Sequence, residues 1–475
     1  MKTIFAKLTR RLIRSQLQKM SPEKLRRLSE TRLIRAFRRA ARQSKAYQIL
    51  LSEKKVSVAS ILSAQDFIQY CPILEKSNTF RRFPLRHLIA DDVRIDQLGS
   101  VLTSSGHGSS GFALGLSTRN QMKSTPSMID LGLELAFDID SYRTLLINCL
   151  PMGVTFQSNA VCVANVSVRE DMACAIVEQI GEQFDQIILC GDPLFLKKLC
   201  DYSQVKQINW SKFRVSVIVG EETFTESFRN YLAGVLHISA DAIEGGFIGS
   251  SMGIGELGLN LFNETRETIS LRRACNRNPE FLKSLFGPAC QFSTLPTFLV
   301  FNPLRVFVEI DSVDEYGVGD LLVSVLDDAI PIPLLRYKTG DKASLISADQ
   351  LQLVWKNSAI ALPIPRLPMI ALHGRAKDVL PNTGHVDEYK HALYQQIQIA
   401  ECLSGAFRLS LQSNGILWEI QLRQGVNNQS ELVATQLQLI AAEFSNETNI
   451  VLYEYDNFPY GKTIDYERKF NYLQA

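Results

Sequence analysis

Arg336-Tyr337-Lys338-Thr339-Gly340-Asp341 follows a proline-punctuated approach, Ile330-Pro331-Ile332-Pro333, and runs into the alternating stretch Ala343-Ser344-Leu345-Ile346. That alternation predicts a strand with one buried face. A basic–aromatic pair followed by Thr-Gly-Asp is an unusual way to leave a strand. Gly340 permits a tight turn, and the turn leaves Asp341 at its tip with two acceptor oxygens for a pair of vicinal hydroxyls. Taken alone, such a turn is more often an ordinary surface loop, so the rest of the chain decides its meaning.

With 475 residues the chain is too long for one simple core. Apolar residues at 46% and charged residues at 21% are ordinary for a globular protein. A net charge of +2 gives no global reason to expect nucleic acid. The nine cysteines are scattered, with no Cys-x-x-Cys pair and no histidine cluster, which argues against a disulfide framework or structural zinc and fits a reducing cytoplasm. No apolar run is long enough to span a bilayer. Leu12-Ile13 is followed at once by Arg14, so no signal-peptide core is expected.

The first 45 residues are rich in Lys and Arg, and Leu25, Leu28, Leu33, Ile34 and Phe37 recur at helical intervals. A basic helical face can meet an acidic partner or anionic lipid, although a solvated face is the commoner reading. Strand-like runs follow at Thr144 to Leu150, Gln186 to Cys190 and Val215 to Val219, with helical patterns at Arg169 to Gln183 and Thr225 to Leu236. This alternation predicts βα units around a largely parallel sheet. Val306 to Ile310 and Leu321 to Leu326 flank Asp314-Glu315-Tyr316-Gly317 as an antiparallel hairpin. From about Arg375 onward, strands at Phe407 to Leu411 and Leu417 to Leu422 mix with helices at Val386 to Glu401 and Gln429 to Glu443, which suits a small α+β domain.

Five further stretches carry residues suited to chemistry. Thr103 to Gly111 is a Gly/Ser-rich loop whose backbone N–H groups and hydroxyls can face a phosphate, although a flexible linker has the same composition. His107 within it donates to a phosphate or carboxylate, or caps the turn. Val215 to Glu222 is a buried-type strand ending in Gly220-Glu221-Glu222, and ligands collect at such ends. Alternatively the two carboxylates merely begin the next helix. Glu244 to Glu256 contains the turn-like Gly249-Ser250-Ser251; His373 to Leu380 and Phe458 to Asp465 read, in isolation, as surface turns.

In their order these elements resemble the adenylate-forming enzymes, in a divergent phenylacetate–CoA ligase-like branch, over nearly the whole chain. Arg336 to Asp341 is similar to the family's Tyr-Arg-Thr-Gly-Asp element, with Lys338 for arginine, and the resemblance implies that Asp341 holds the ribose of ATP. It implies phosphate contacts from Ser104, Ser105, Gly106, Gly108, Ser109, Ser110 and Gly111, with His107 beside them, although the lysine that usually ends this loop is absent. It places Gly220, Glu221 and Glu222 near the adenine, and Phe247, Gly249, Ser250 and Ser251 along the nucleotide. Met252 stands where the family has a magnesium-binding glutamate, and a thioether is a poor ligand for hard Mg²⁺. Glu256, four residues on, is the candidate substitute. Arg375 is implied to approach the nucleotide, Lys377 to be the hinge, and Lys462 to reach the adenylation site.

The opening helix from Leu33 to Tyr47 and the Pro72-to-Lys76 step resemble the same branch. The implied architecture is α/β: a large N-terminal domain over 1–374, with a helical, basic opening over 1–80, and a small mobile domain over 375–475. The implied activity is ATP- and Mg²⁺-dependent formation of an acyl-adenylate, then transfer to a thiol, CoA by default; a carrier protein or an amine is the alternative acceptor. A scaffold that keeps the fold without the chemistry is the alternative function. Ser124 to Phe156 and Gly245 to Met252, with Phe137, Phe156 and Phe247, are expected to line a pocket for an aromatic or medium apolar acid, though such residues are usually core.

Overall fold

The structure, a computed structural model, describes residues 2–103, 112–151, 153–241, 243–290, 292, 294–380, 384–413, 415–426, 430–443 and 448–474. The loop from Ser104 to Gly111, with His107, lies outside them. Strands β1 (Leu98–Thr103) and β2 (Leu114–Thr118) form an antiparallel pair. The main sheet takes β3 (Thr144–Asn148), β4 (Cys162–Asn165), β5 (Gln186–Gly191), β6 (Arg214–Val219), β7 (Ile248–Ile254), β8 (Gly258–Asn263), β9 (Thr297–Phe301), β10 (Val306–Asp311), β11 (Gly319–Val325), β12 (Tyr337–Ile346) and β13 (Met369–Arg375). These eleven strands run in the order β10-β11-β12-β13-β9-β8-β7-β6-β5-β3-β4. Beyond them come the short pair β14 (Val379–Leu380) and β15 (Gly384–His385), then a three-stranded sheet of β16 (Leu403–Gln412), β17 (Gly415–Leu422) and β18 (Thr448–Tyr453).

Strands β4-β3-β5-β6-β7 pair in parallel. Leu145 to Ile147 and Ile187 to Cys190 are apolar throughout, and Ser216 alone interrupts Val215 to Val219, because both faces of these strands are covered. Period-two alternation divides them: Leu145, Ile147, Ile187, Leu189, Val217 and Val219 enter one core, while Leu146 and Ile188 enter another with Phe137, Phe247 and Ile269. The crossover helices start where local chemistry directs. Asp192 caps Pro193–Val205 through the Phe195 N–H with Pro193 following, and Thr225 caps Glu226–Leu236. β7 changes partner midway: Ile248 to Ser250 pair in parallel with β6, whereas Ser251 to Ile254 pair antiparallel with β8. The expected βα alternation and the β10–β11 hairpin are both present.

Two expectations need correction. Thr339-Gly340-Asp341 is no strand-ending turn, because β12 continues through it to Ile346. The basic opening is also not a uniformly solvated face. Arg39 is buried on Asp92 at 2.7 Å and donates to the Ile330 carbonyl, and Arg35 pairs with Asp328 at 2.6 Å. Leu25, Leu33 and Phe37 of the helix Pro22–Gln43 are buried, and its Leu33 and Phe37 pack into the core that covers β8 to β13.

The smaller C-terminal unit shares an apolar core with the parallel strands. Tyr394 of the helix Val386–Tyr394 lies 4.8 Å from Phe228 and 5.5 Å from Tyr231, ring centre to ring centre. Trp418 and Phe407 belong to the same core as Leu196 and Leu232. Backbone and side-chain bonds cross it too: the Ser227 hydroxyl donates to the His391 carbonyl at 2.9 Å.

Candidate active site

The Thr-Gly-Asp element is a bulge within β12. Lys342 pairs with Asp320 and Lys338 with Leu322, so Thr339, Gly340 and Asp341 all stand opposite Leu321 alone. Gly340 has φ +86°, a region a side chain rarely adopts, and the Asp341 N–H donates to the Thr339 hydroxyl at 3.2 Å. The bulge turns Asp341 inward, 7% exposed, instead of leaving it at a tip. Register pairs Asp341 with Arg375 at the end of β13, and the guanidinium Nε lies 3.3 Å from Asp341 Oδ1. Oδ2 has no partner among the described residues. Lys338 and Lys342 flank the bulge, both on Asp320 at 2.6 and 2.8 Å; burial pushes that carboxyl up, but the two ammonium groups more than offset it.

One strand over, His373 accepts or donates across 2.9 Å to Ser344 and is enclosed by Phe286 and Phe292. Burial pushes its pKa down to about 4, so it is neutral at physiological pH and acts as a clamp between β12 and β13. Gly374 follows at φ +94°, and a Cβ there would come within 3.2 Å of the His385 ring. Lys377 lies two residues past β13; burial and the neighbouring Arg375 push its pKa down, with Lys469 also lowering it and Glu222 opposing.

At the end of β6, the Gly220 N–H donates to the Gly191 carbonyl at 3.0 Å, and Glu221 adopts φ +66°. The two glutamates there hold lysines of the C-terminal unit. Lys469 donates to the Glu221 carbonyl at 2.8 Å and pairs with its carboxylate at 3.1 Å. Lys390 pairs with Glu222 at 3.2 Å and Asp387 at 3.6 Å. Burial alone would push Lys390 down, but Glu222, Asp387 and Asp378 more than offset it and its pKa lies above the ordinary lysine value. The chain's own Asp465 to Tyr472 closes over a small cavity lined by Pro151, Asp192, Glu221, Tyr466 and Lys469.

Asp192 Oδ1 caps its helix while Oδ2 is buried without a partner. Burial, reinforced by Glu222 and Glu221, pushes its pKa up to about 7 against the donated backbone N–H groups. A carboxyl whose folded pKa lies above its unfolded value binds more protons when folded, so stability falls as pH rises from about 4 to about 7. Asn caps a helix as well as Asp. Asp192→Asn is therefore expected to raise Tm at pH 8, by a free energy on the order of a few kcal/mol, and to leave it nearly unchanged at pH 4. Thermal melts across this range check it; equal shifts at both pH values would contradict the assignment.

β7 supplies Gly249, Ser250 and Ser251. The Ser250 N–H donates to Glu264 Oε2, and the Glu264 N–H returns a bond to the Ser250 carbonyl, both at 2.8 Å. Glu264 is held by Arg229 at 2.8 and 3.0 Å, and Arg229 also reaches Glu226 and the Ile248 carbonyl. The Ser251 hydroxyl donates to Asn260 Oδ1.

Among the expected site residues, Asp341 and Arg375 are in contact, and Glu221 and Glu222 stand together at the end of β6 on Lys469 and Lys390. Phe247 does not face a crevice: it is 2% exposed and stacked on Phe137 at 4.8 Å, with Arg266 over its ring. Glu256 is 5% exposed, and its Oε1 accepts the Tyr337 hydroxyl at 2.6 Å and lies 3.9 Å from Lys76 Nζ. No cluster of three metal-ligating residues exists among the described residues, and a single carboxylate such as Glu256 would hold Mg²⁺ only together with substrate phosphates and water. Lys462 is exposed on the turn Gly461–Thr463 with no ion pair among the described residues. Lys390, Lys469 and Asp192 escaped the sequence reading: none sits in a recognisable motif, and their partners are far away in the chain.

No family model matches the chain, and no curated protein matches it. Solved structures do. A 2-hydroxyisobutyryl-CoA ligase in the postadenylation state, in complex with R3-HIB-AMP, aligns over 96% of this chain and 90% of its own with TM-score 0.67 and 11% identity. The same ligase in the thioesterification state, with 2-HIB-AMP and CoA, aligns over the same shares with TM-score 0.54 and 12% identity. An acyl acid amido synthetase, AtGH3.15, in complex with 2,4-DB aligns over 94% of this chain and 90% of its own with TM-score 0.53 and 13% identity. The chain has the fold of the adenylate-forming ligases.

Proposed function

We propose that the protein activates a carboxylic acid with ATP, as an acyl-adenylate with release of pyrophosphate, and passes the acyl group to a thiol, CoA by default, or to an amine. The observation that carries this reading is the pairing of Asp341, inward on its bulge, with Arg375 at the end of the neighbouring strand. A buried carboxylate with one oxygen tethered and one available suits two adjacent ribose hydroxyls. In this reading the acid's oxygen attacks the α-phosphorus and pyrophosphate leaves, and catalysis is positioning plus charge stabilisation. Lys462 is assigned to the developing charge and Lys377 to the hinge between a large domain over 1–374 and a smaller one over 375–475. Glu256 is the carboxylate that would hold Mg²⁺ beside the phosphates, through the oxygen that Tyr337 leaves. The branch of the superfamily that fits the motifs is phenylacetate–CoA ligase-like.

Lys390–Glu222 and Lys469–Glu221 hold the C-terminal unit in the arrangement seen, which aligns better with the postadenylation form of the hydroxyisobutyryl ligase than with its thioesterification form. A second reading, nucleotide binding without cleavage, is favoured by Met252, a poor ligand for Mg²⁺ at the place where the family has a glutamate. Calorimetric titration with ATP, with and without Mg²⁺, tests the shared premise: binding is expected, and its absence in both conditions would overturn both readings.

A further inference from the structure

The helix Lys2–Lys19 is docked through a charged face, with Lys7, Arg10 and Arg14 turned inward. It contains Lys2, Lys7, Arg10, Arg11, Arg14 and Lys19 and no acidic residue. Lys7, Arg10 and Arg14 share one face by their spacing of three and four. They meet the end of the helix Arg119–Phe137 and the turn after it. Lys7 donates to the Asp140 carbonyl at 2.9 Å, Arg10 binds the Asp140 carboxylate and lies 3.9 Å from Asp130, and Arg14 pairs with Glu134 at 3.3 Å and Asp138 at 3.1 Å. The opposite face carries Phe5, Leu8 and Leu12, again spaced three and four, with 74%, 52% and 64% of their surfaces exposed. A surface helix ordinarily buries such a ridge and shows its charges to water. Here ionic contacts fix the helix and the apolar ridge is left facing out.

We propose that this helix seats the protein peripherally on an anionic lipid surface, with Phe5, Leu8 and Leu12 entering the headgroup–acyl boundary. Charge complementarity selects this occupant. Arg11 and Lys19 are exposed, as are Lys24, Arg26 and Arg27 just beyond, against Glu23 as the exposed acid of that stretch. An apolar ridge with cations beside it is what an interfacial helix needs. Three side chains are too few for a stable protein interface, which takes roughly 800 Å² from each partner, and a second copy would set this basic stretch against another. No helix among the described residues is long and apolar enough to cross a membrane, so the contact lies at the surface.

Flotation with phosphatidylcholine vesicles, with and without phosphatidylserine, tests this on the full chain. Wild type is expected to float with the phosphatidylserine vesicles only, less so at high salt. The triple substitution Phe5→Ser, Leu8→Ser, Leu12→Ser is expected to weaken binding at least tenfold, and Arg11→Glu or Lys19→Glu about fivefold or more each. All these side chains are exposed, so an unchanged Tm identifies variants that fold normally. Failure of wild type to float, flotation untouched by the triple substitution, or a dimer dissolved by that substitution without vesicle binding would each overturn the proposal.

Discussion

Asp341→Ala is expected to raise KM for ATP about 10- to 100-fold, the loss of charge-assisted hydrogen bonds worth about 1.5–3 kcal/mol. The substitution removes the carboxylate from the β12 bulge but leaves the bulge itself, which rests on Gly340 and on the Thr339 hydroxyl receiving the Asp341 N–H. Its folding cost is small, because the Arg375 partner is 39% exposed and returns to water. A raised KM with an unchanged Tm therefore assigns Asp341 to the nucleotide; an unchanged KM for ATP would remove it from the site. Arg375→Ala should show the same pattern more weakly, since its guanidinium acts on the ribose through Asp341.

The largest stability effect is expected at Glu264, where replacement by alanine should cost about 3–5 kcal/mol. Glu264 and Arg229 are both 0% exposed in their side chains. Arg229, Arg272 and Arg273 surround Glu226 and Glu264, and Arg273 also pairs with Asp241 at 2.8 Å. Burial would push the Glu226 carboxyl up, but the three guanidinium groups more than offset this and hold it below the usual range. Removing Glu264 leaves buried guanidinium charge uncompensated and strips the Ser250 N–H of its acceptor. The damage thus passes from the core to Gly249, Ser250 and Ser251. Urea denaturation measures it, and a cost under about 1 kcal/mol would mean that water or a shifted side chain replaces the carboxylate.

Local pattern made the strands legible. Thr144 to Leu150, Gln186 to Cys190 and Val215 to Val219 are largely apolar runs of strand length, and the strands fall within two residues of them at each end. Site residues near those ends were legible for the same reason: Gly220 to Glu222 had to emerge from β6. Their partners were not. Glu222 meets Lys390 and Glu221 meets Lys469 only after the C-terminal unit has packed on the parallel strands, and no periodicity encodes that docking. The Thr-Gly-Asp element misled in geometry because a glycine at positive φ serves a bulge as well as a turn; only the ladder on both sides of β12 distinguishes the two. Phe247 misled through burial. Beside a Gly/Ser stretch it looked like a nucleotide contact, yet its ring completes the stack with Phe137.

Acid-dependent exchange of labelled pyrophosphate into ATP tests the central claim most directly, using a panel of aromatic and medium-chain carboxylic acids with wild type, Lys462→Ala and Asp341→Ala. The account predicts exchange with at least one acid in the wild type, a deep loss in Lys462→Ala and a shift to higher ATP in Asp341→Ala. Exchange absent for every acid in a folded, ATP-binding wild type, or equal with and without acid, would contradict it.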